Sequence, residues 1–457
     1  MTSRDSPRHA SRLAIFGWVL FDWAAQPYFT LIMTFVYAPF FASAVVGDVT
    51  KGQSIWGFAT AAAGILIALS SPVIGAIADA TGRRKPWTAA FGVLLVIGAW
   101  GLWIAKPGDP STIMPTLIFF IIASIGVEFA TVFNNTMMPT LVPKEKVGSL
   151  SGLGWATGYV GGLLSLVLSL GFLAANPETG KTLLGHAPLF GLDPALREGD
   201  RAMGPLTAIW FVIFVTPLFL FTPDGAARHR LIPAVKHGLA ALRDTVRAAR
   251  RHRNLWYFLL ANMIYTDGLI ALFAIGGIYG AGLFGWQTIE LGLFGIVLTI
   301  TGTIGAYIGG KLDDVFGAKP VVLWSLVVLT LCICVILSLS PDRIFFTIPV
   351  VPPHPGDGVF ASASERVYIL LGAIIGAAAG PMQAASRTLL VRLAPHDRLA
   401  QFFGLFALSG KITSFTGPFC VATATALFAS QRAGLAVLIA FYAVGGFLLA
   451  TARIETK

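Results

Sequence analysis

Apolar runs of about 20 residues or more, separated by short polar turns, recur along almost the whole chain, and each is long enough to cross a hydrocarbon core of about 30 Å as a helix. They fall at roughly 13–44, 54–78, 87–105, 112–141, 148–174, 204–221, 254–283, 287–312, 319–340, 366–393, 399–427 and 431–452. No alternating ten-residue strand pattern competes with them. The pattern predicts an all-α membrane protein with twelve transmembrane helices. It also predicts interruptions: the stretch FDWAAQPY at 21–28 sets Asp22, Gln26 and Pro27 inside the first apolar run.

Composition agrees. Of the 457 residues, 56% are hydrophobic and only 12% charged, against about one quarter charged in soluble domains. The formal charge of +10 follows from topology: with both termini inside, roughly 23 of the 32 Lys and Arg lie in cytoplasmic segments and about eight outside. Both termini are therefore expected in the cytoplasm, with the chain in a bacterial inner membrane. Basic residues spread over several short loops do not form a nucleic-acid-binding face. Arg4, Arg8 and Arg12 resemble the start of a signal peptide, but the apolar run that follows is about twice the usual length, so a retained first helix is expected. Cys332, Cys334 and Cys420 lie in apolar runs without metal-ligand spacing, and neither a phosphate-binding G-x-x-x-x-G-K-[ST] nor a G-x-S-x-G is present. No enzyme, cofactor or metal site is expected.

The halves repeat. Gly75-Ala-Ile-Ala-Asp79-Ala-Thr-Gly82-Arg83-Arg84-Lys85-Pro86 joins spans 2 and 3, and Gly310-Lys-Leu-Asp-Asp314-Val-Phe-Gly317-Ala318-Lys319-Pro320 joins spans 8 and 9, an offset of 235 (310 minus 75). Pro143, Gly152 and Gly158 match Pro395, Gly404 and Gly410 at an offset of 252 (395 minus 143). Two pseudo-symmetric six-helix bundles follow, 1–221 and 254–457, as in transporters built around a midplane site. Between them, Leu231, Val235, Leu239, Leu242 and Val246 recur at helical spacing among arginines. That predicts an amphipathic helix at 222–253 on the cytoplasmic leaflet. The outside loops 175–203 and 340–365 either close over a site or form surface, and they read more readily as surface.

In the G-x-x-x-D-x-x-G-R-R-K stretch, Gly75 permits close helix approach and Asp79 is placed to accept from helix-terminal N–H groups while pairing with Arg83 or Arg84. Here the sequence resembles the major facilitator superfamily, in which this motif is a conformational latch. The resemblance makes Gly75, Asp79, Gly82 and Arg83 gating residues, with Asp314 in the second copy, where Ala318 and Lys319 replace the paired arginines. A narrower resemblance lies in FDWAAQPYFTLIMTFVYAPFF, FNNTMMPTLVPKEKVGSLSGLGWATGYVGG and PMQAASRTLLVRLAPHDRLAQFFGLFALSGKITSFTGP. These look like the "unknown major facilitator" group, related to fungal vacuolar amino-acid effluxers, and amino-acid efflux is what that relationship implies. In such folds helices 1, 4, 7 and 10 line the pathway and 2, 5, 8 and 11 form the interface between bundles. The resemblance also implies a monomer.

Polar groups inside apolar runs mark candidate sites, since each is costly unless it faces protein, water or a partner. Span 1 aligns Asp22, Gln26, Phe29 and Met33, span 4 aligns Glu128, Thr131 and Asn135, and span 7 carries Asn262, Tyr265 and Asp267. Spans 10 and 11 add Gln383, Arg387 and Lys411. Asp22, with Asp267 as its counterpart, reads as a proton carrier or substrate ligand, or else as a structural carboxylate. Glu128 competes for the carrier role or pairs with Arg387 or Lys411 as a lock between bundles. Gln383, Asn262 and Asn135 serve equally well as interhelical hydrogen-bond glue. Glycines at 57 and 64, at 154, 158, 161 and 162, and at 295, 302, 305 and 309 are expected at sliding contacts between bundles. Acids on spans 1, 4 and 7 and bases on spans 10 and 11 suit a zwitterion such as an amino acid or short peptide, moved with protons by alternating access. Transport of a lipid or drug-like amphiphile, and a non-transporting receptor or assembly factor, are the alternatives.

Overall fold

The computed structural model describes residues 10–81, 83–142, 147–225, 247, 250–352, 354, 358–393, 406, 409–410 and 413–452, with backbone alone at 72–73, 75–81, 139, 147–149, 151–152, 310, 314 and 391. Twelve apolar helices run back and forth through it: α1 (Arg12–Val45), α2 (Val49–Thr81), α3 (Lys85–Gly101), α4 (Ile113–Leu141), α5 (Val147–Phe172), α6 (Met203–Phe221), α7 (Arg253–Phe284), α8 (Thr288–Phe316), α9 (Ala318–Leu337), α10 (Ala363–Leu393), α11 (Thr416–Phe428) and α12 (Gln431–Thr451). Eleven are long and apolar enough to cross a membrane. The shorter α11 lies within the expected span 399–427, most of whose first half is outside the described residues. The linker helix expected at 222–253 also falls largely outside them.

Local signals set the helix ends. Ser11 accepts from the Ala14 N–H at 3.1 Å to start α1. Gln287 and Glu290 form a reciprocal capping box at α8, and Ser362 with Glu365 forms one at α10. α1 is regular as far as Pro27. It then widens to π-helical turns over Tyr28–Phe35 and Phe41–Val45, either side of a short stretch containing Pro39.

α1 packs on α5 and α6, α3 on α4, α8 and α9 on α10, and α7 on α12. Helices 1–6 thus associate mostly with one another, as do 7–12, and the two sets meet where α2 lies along α11 and α5 touches α8. Small residues permit the closest approaches: a Cβ on Gly98 or Gly126 would land on the α4 or α3 backbone, and one on Gly305 or Gly380 on the α10 or α8 backbone. Outward-facing side chains such as Ile97, Trp100, Ile118, Ile213, Val327, Leu331 and Phe447 are large, apolar and exposed, as a lipid-facing surface requires.

The glycine faces correct the sequence reading in part. Gly57 and Gly64 face Pro418, Ala422 and Phe415, and Gly295 faces Phe35, so these do lie between the sets. Gly154, Gly158, Gly161 and Gly162 instead seat α1 against α5, and Gly302, Gly305 and Gly309 seat α10 against α8, all within one set. A glycine allows close approach whatever the neighbour, so it marks a tight crossing without saying which helix crosses.

Candidate functional site

The start of α1, the end of α12 and the ends of α2, α4, α6, α8 and α10 lie at one end of the bundle, here the terminal face; the ends of α1, α3, α5, α7, α9 and α11 lie at the distal face. On α1, the Asp22 carboxylate and Cβ rest against Gly154 and Gly158 of α5. Among the described residues, nothing donates a hydrogen bond to it. Gln26, one turn on, packs its Cγ against Gly162. Asp267 of α7 is 2% exposed, its backbone is pressed against Gly417, and the Thr413 hydroxyl and Cys420 thiol lie beside its carboxylate. Its Oδ1 has no hydrogen-bond partner among the described residues. Each aspartate therefore faces α5 or α11 of its own set.

Their register differs from the sequence reading. Asp267 is fourteen residues into α7 (267 minus 253) and Gln26 is fourteen into α1 (26 minus 12), whereas Asp22 is ten in (22 minus 12). By position along the helix Asp267 answers to Gln26, and Asp22 lies one turn nearer the terminal face.

Two hydroxyl pairs repeat between the sets: Tyr28 with Ser124 of α4 at 2.6 Å and Tyr265 with Ser386 of α10 at 2.7 Å. Glu128, half-buried, is one turn beyond Ser124, and Asn135 on the same face of α4 is exposed. Its neighbour Asn134 is buried with both amide atoms unpartnered among the described residues, although its carbonyl accepts from Trp18 Nε1 at 2.8 Å. Asn262 is buried, and among the described residues Gln383 reaches only the Ala379 carbonyl, at 3.5 Å. The Arg387 guanidinium sits 5.4 Å from the ring centroid of Trp155, bridging α10 to α5, with Tyr159 close by. No carboxylate pairs with Arg387 among the described residues. Lys411 lies outside the described residues, as do Gly82 and the side chains of Asp79 and Asp314, and Gly75 is described by its backbone alone.

Around the G-x-x-x-D-x-x-G-R-R-K stretch, Arg83 and Lys85 line an open groove of about 510 Å³ with Pro86, Phe219 and Asp224. Arg84 donates from its backbone N–H to the Asp224 carboxylate at 2.7 Å and from Nε to the Thr136 hydroxyl of α4 at 3.0 Å. In the second copy the neighbour of the expected residue carries the ion pair: Asp313 meets Arg392 of α10 at 3.0 Å.

The distal face holds a feature that the sequence reading placed on the surface. Arg197 and Asp200, in the loop between α5 and α6, pair at 2.5 Å, and Arg197 also donates to Gln287 at 2.9 Å and Thr288 at 3.1 Å at the start of α8. Asp200 accepts from the Thr288 hydroxyl and is 1% exposed. Arg201 donates to the Trp103 carbonyl at 2.9 Å. Nearby, Gln53 of α2 donates to Thr425 of α11 at 2.8 Å and accepts from Gln431 of α12 at 3.0 Å. The bonds of Arg197 and Asp200 to Gln287 and Thr288, and of Gln53 to Thr425 and Gln431, join the two sets at one end of the molecule. The i,i+3 charges of LREGDR, just before an apolar run, were the available signal.

A family model described as vacuole effluxer Atg22 like matches residues 42–456. An uncharacterized MFS-type transporter of Bacillus subtilis (strain 168), YxiO, is 24% identical over 446 residues, covering 96% of this chain and 95% of that one. Autophagy-related protein 22 of Coccidioides immitis is 23% identical over 238 residues, half of this chain and 38% of its own length. Among solved structures, the nucleoside transporter NupG superposes with a TM-score of 0.63 at 13% identity over 97% of this chain and 100% of that one. The xylose transporter XylE from E. coli superposes with 0.62 at 15% identity over 97% and 98%. At such identities the likeness shows the fold alone.

Proposed function

Because the chain belongs to the Atg22-like vacuole effluxer family and is an integral membrane transporter of the major facilitator type, we propose that it moves a small polar or zwitterionic solute, an amino acid or short peptide, by proton-coupled alternating access. The observation that carries this reading is the Arg387 guanidinium. It lies between the two helix sets, against Trp155, without a carboxylate partner among the described residues, which suits a substrate carboxylate. The buried carboxylates Asp22 and Asp267 are the proton carriers in this reading, with Glu128 as a third acid nearby. Residues 1–221 and 254–457 rock as two units about the linker 222–253, with both termini in the cytoplasm of a bacterial cell and the distal face outside. The ties of Arg197 and Gln53 across that face support a state closed to the outside.

The test is reconstitution. Proteoliposomes carrying an imposed proton gradient should accumulate at least one amino acid or dipeptide, and a protonophore should abolish the accumulation. Arg387→Gln should raise the half-saturating concentration by about tenfold or more. If no amino acid or peptide moves under a gradient of either direction, the substrate class is wrong.

A further inference from the structure

The chain after α9 folds into a small hairpin in which Arg343–Ile344 pairs antiparallel with Ile348–Pro349. At its tip Phe345 and Phe346 adopt φ of 53° and 62°, the left-handed region that large side chains avoid. The turn spends this backbone strain on presenting apolar rings outward: Phe345 is 51% exposed, Phe346 60%, Ile348 52% and the following Val351 73%. The hairpin is tied to the end of α9, because the Phe346 N–H donates to the Ser338 carbonyl at 3.0 Å and Ser340 and Arg343 exchange backbone hydrogen bonds.

That tie sets both depth and direction. Ser338 directly follows the last residue of α9, so the hairpin starts where the apolar span ends. Along α9 the exposed residues Trp324, Val327, Leu331 and Cys334 form one stripe, and Ser338, four residues after Cys334 in the same register, is buried, with its carbonyl accepting from Phe346 of the hairpin. The rings thus emerge beside a face that already meets acyl chains. At the base, Asp342 and Arg343 are exposed. The Ser340 hydroxyl, with help from backbone donation and Arg343, holds the Asp342 carboxyl below its ordinary range, so it stays charged and in water.

We propose that residues 344–351 form an interfacial finger whose Phe345, Phe346 and Ile348 side chains enter the boundary between headgroups and acyl chains of the distal leaflet and anchor the end of α9. The occupant of this apolar patch is lipid, because the patch continues a lipid-facing stripe at the depth where a bilayer ends. The inference rests on the chain being membrane-embedded and not on any substrate.

The experiment places a nitroxide on Phe346→Cys and, separately, on Ile348→Cys, in protein carrying Cys334→Ala and Cys420→Ala and reconstituted in phosphatidylethanolamine–phosphatidylglycerol vesicles. Lys181→Cys, exposed in the loop between α5 and α6, is the water-facing control. Power saturation then compares collisions with oxygen, which dissolves in lipid, and with a nickel chelate, which stays in water. Both finger positions should favour oxygen by about threefold or more relative to the control. Collision with the nickel chelate at both positions would put the finger in water, and shielding from both reagents would put a protein on it; either result overturns the proposal.

Discussion

Burial of a carboxylate inside a bilayer costs about 3 kcal/mol on insertion scales, and Asp267, with one oxygen lacking any donor among the described residues, bears that cost for no visible structural return. Asp267→Asn keeps the shape and removes the penalised charge. The melting temperature of the variant should therefore not fall, while gradient-driven uptake should drop by about tenfold or more and gradient-independent exchange of labelled for unlabelled substrate should persist. Undiminished accumulation by both Asp267→Asn and Asp22→Asn would remove these residues from the carrier role. Tyr265 sets a contrast. Tyr265→Phe loses only the bond to Ser386, which keeps its own bond to the Met382 carbonyl at 2.7 Å. A cost of about 0.6 kcal/mol, visible as a fall of no more than about 2 °C in a thermal scan, is expected, with transport retained.

Among the helices, the α8–α10 crossing depends on the absence of side chains. A Cβ at Gly305 would strike the backbone of Ala377, whereas one at Gly276 of α7 would meet nothing within 4 Å. Gly305→Leu should destabilise by about 3 kcal/mol or more through forced separation of the helices. Gly276→Ala should be neutral or stabilising by up to about 1 kcal/mol, because alanine is the better helix former. Paired denaturation curves would check this, and equal losses at both sites would show that the crossing is not governed by steric fit. α1 makes the complementary case: with Pro27 and Pro39 it departs from regular geometry, and the same stretch meets α7 and α8 of the other set through Thr34, Pro39 and Phe35.

Seen as a whole, the molecule has two helix sets tied at the distal face, so freezing that tie should stop a rocking transporter. In Gln53→Cys/Thr425→Cys protein, a short bifunctional thiol cross-linker should cut transport by about tenfold or more, and a reductant should restore it. Transport unaffected by full cross-linking would mean that the sets need not part there. Removing Asp200 works the other way. Asp200→Ala leaves the half-buried Arg197 without its carboxylate partner, at a cost of up to about 3–5 kcal/mol that is largest in the closed arrangement. Labelling of Thr425→Cys by a membrane-impermeant thiol reagent should then speed up about fivefold or more.

The number of helices, their approximate limits and the doubled architecture were legible in the chain alone, because bilayer thickness converts an apolar run into a crossing helix without reference to its neighbours. The same physics hides the rest. Buried and lipid-facing sides of these helices are both apolar, so hydropathy does not say that Gly158 meets α1 or that Gly305 meets α10. Nor does it say that Asp267 lies deeper along its helix than Asp22 does along α1, which depends on where each helix begins. The closure of Arg197 and Asp200 on Thr288 joins residues about 90 apart in a loop that composition alone assigns to water. Only the packing of the two sets brings that loop over the start of α8, where pairing its charges costs less than leaving them buried and apart.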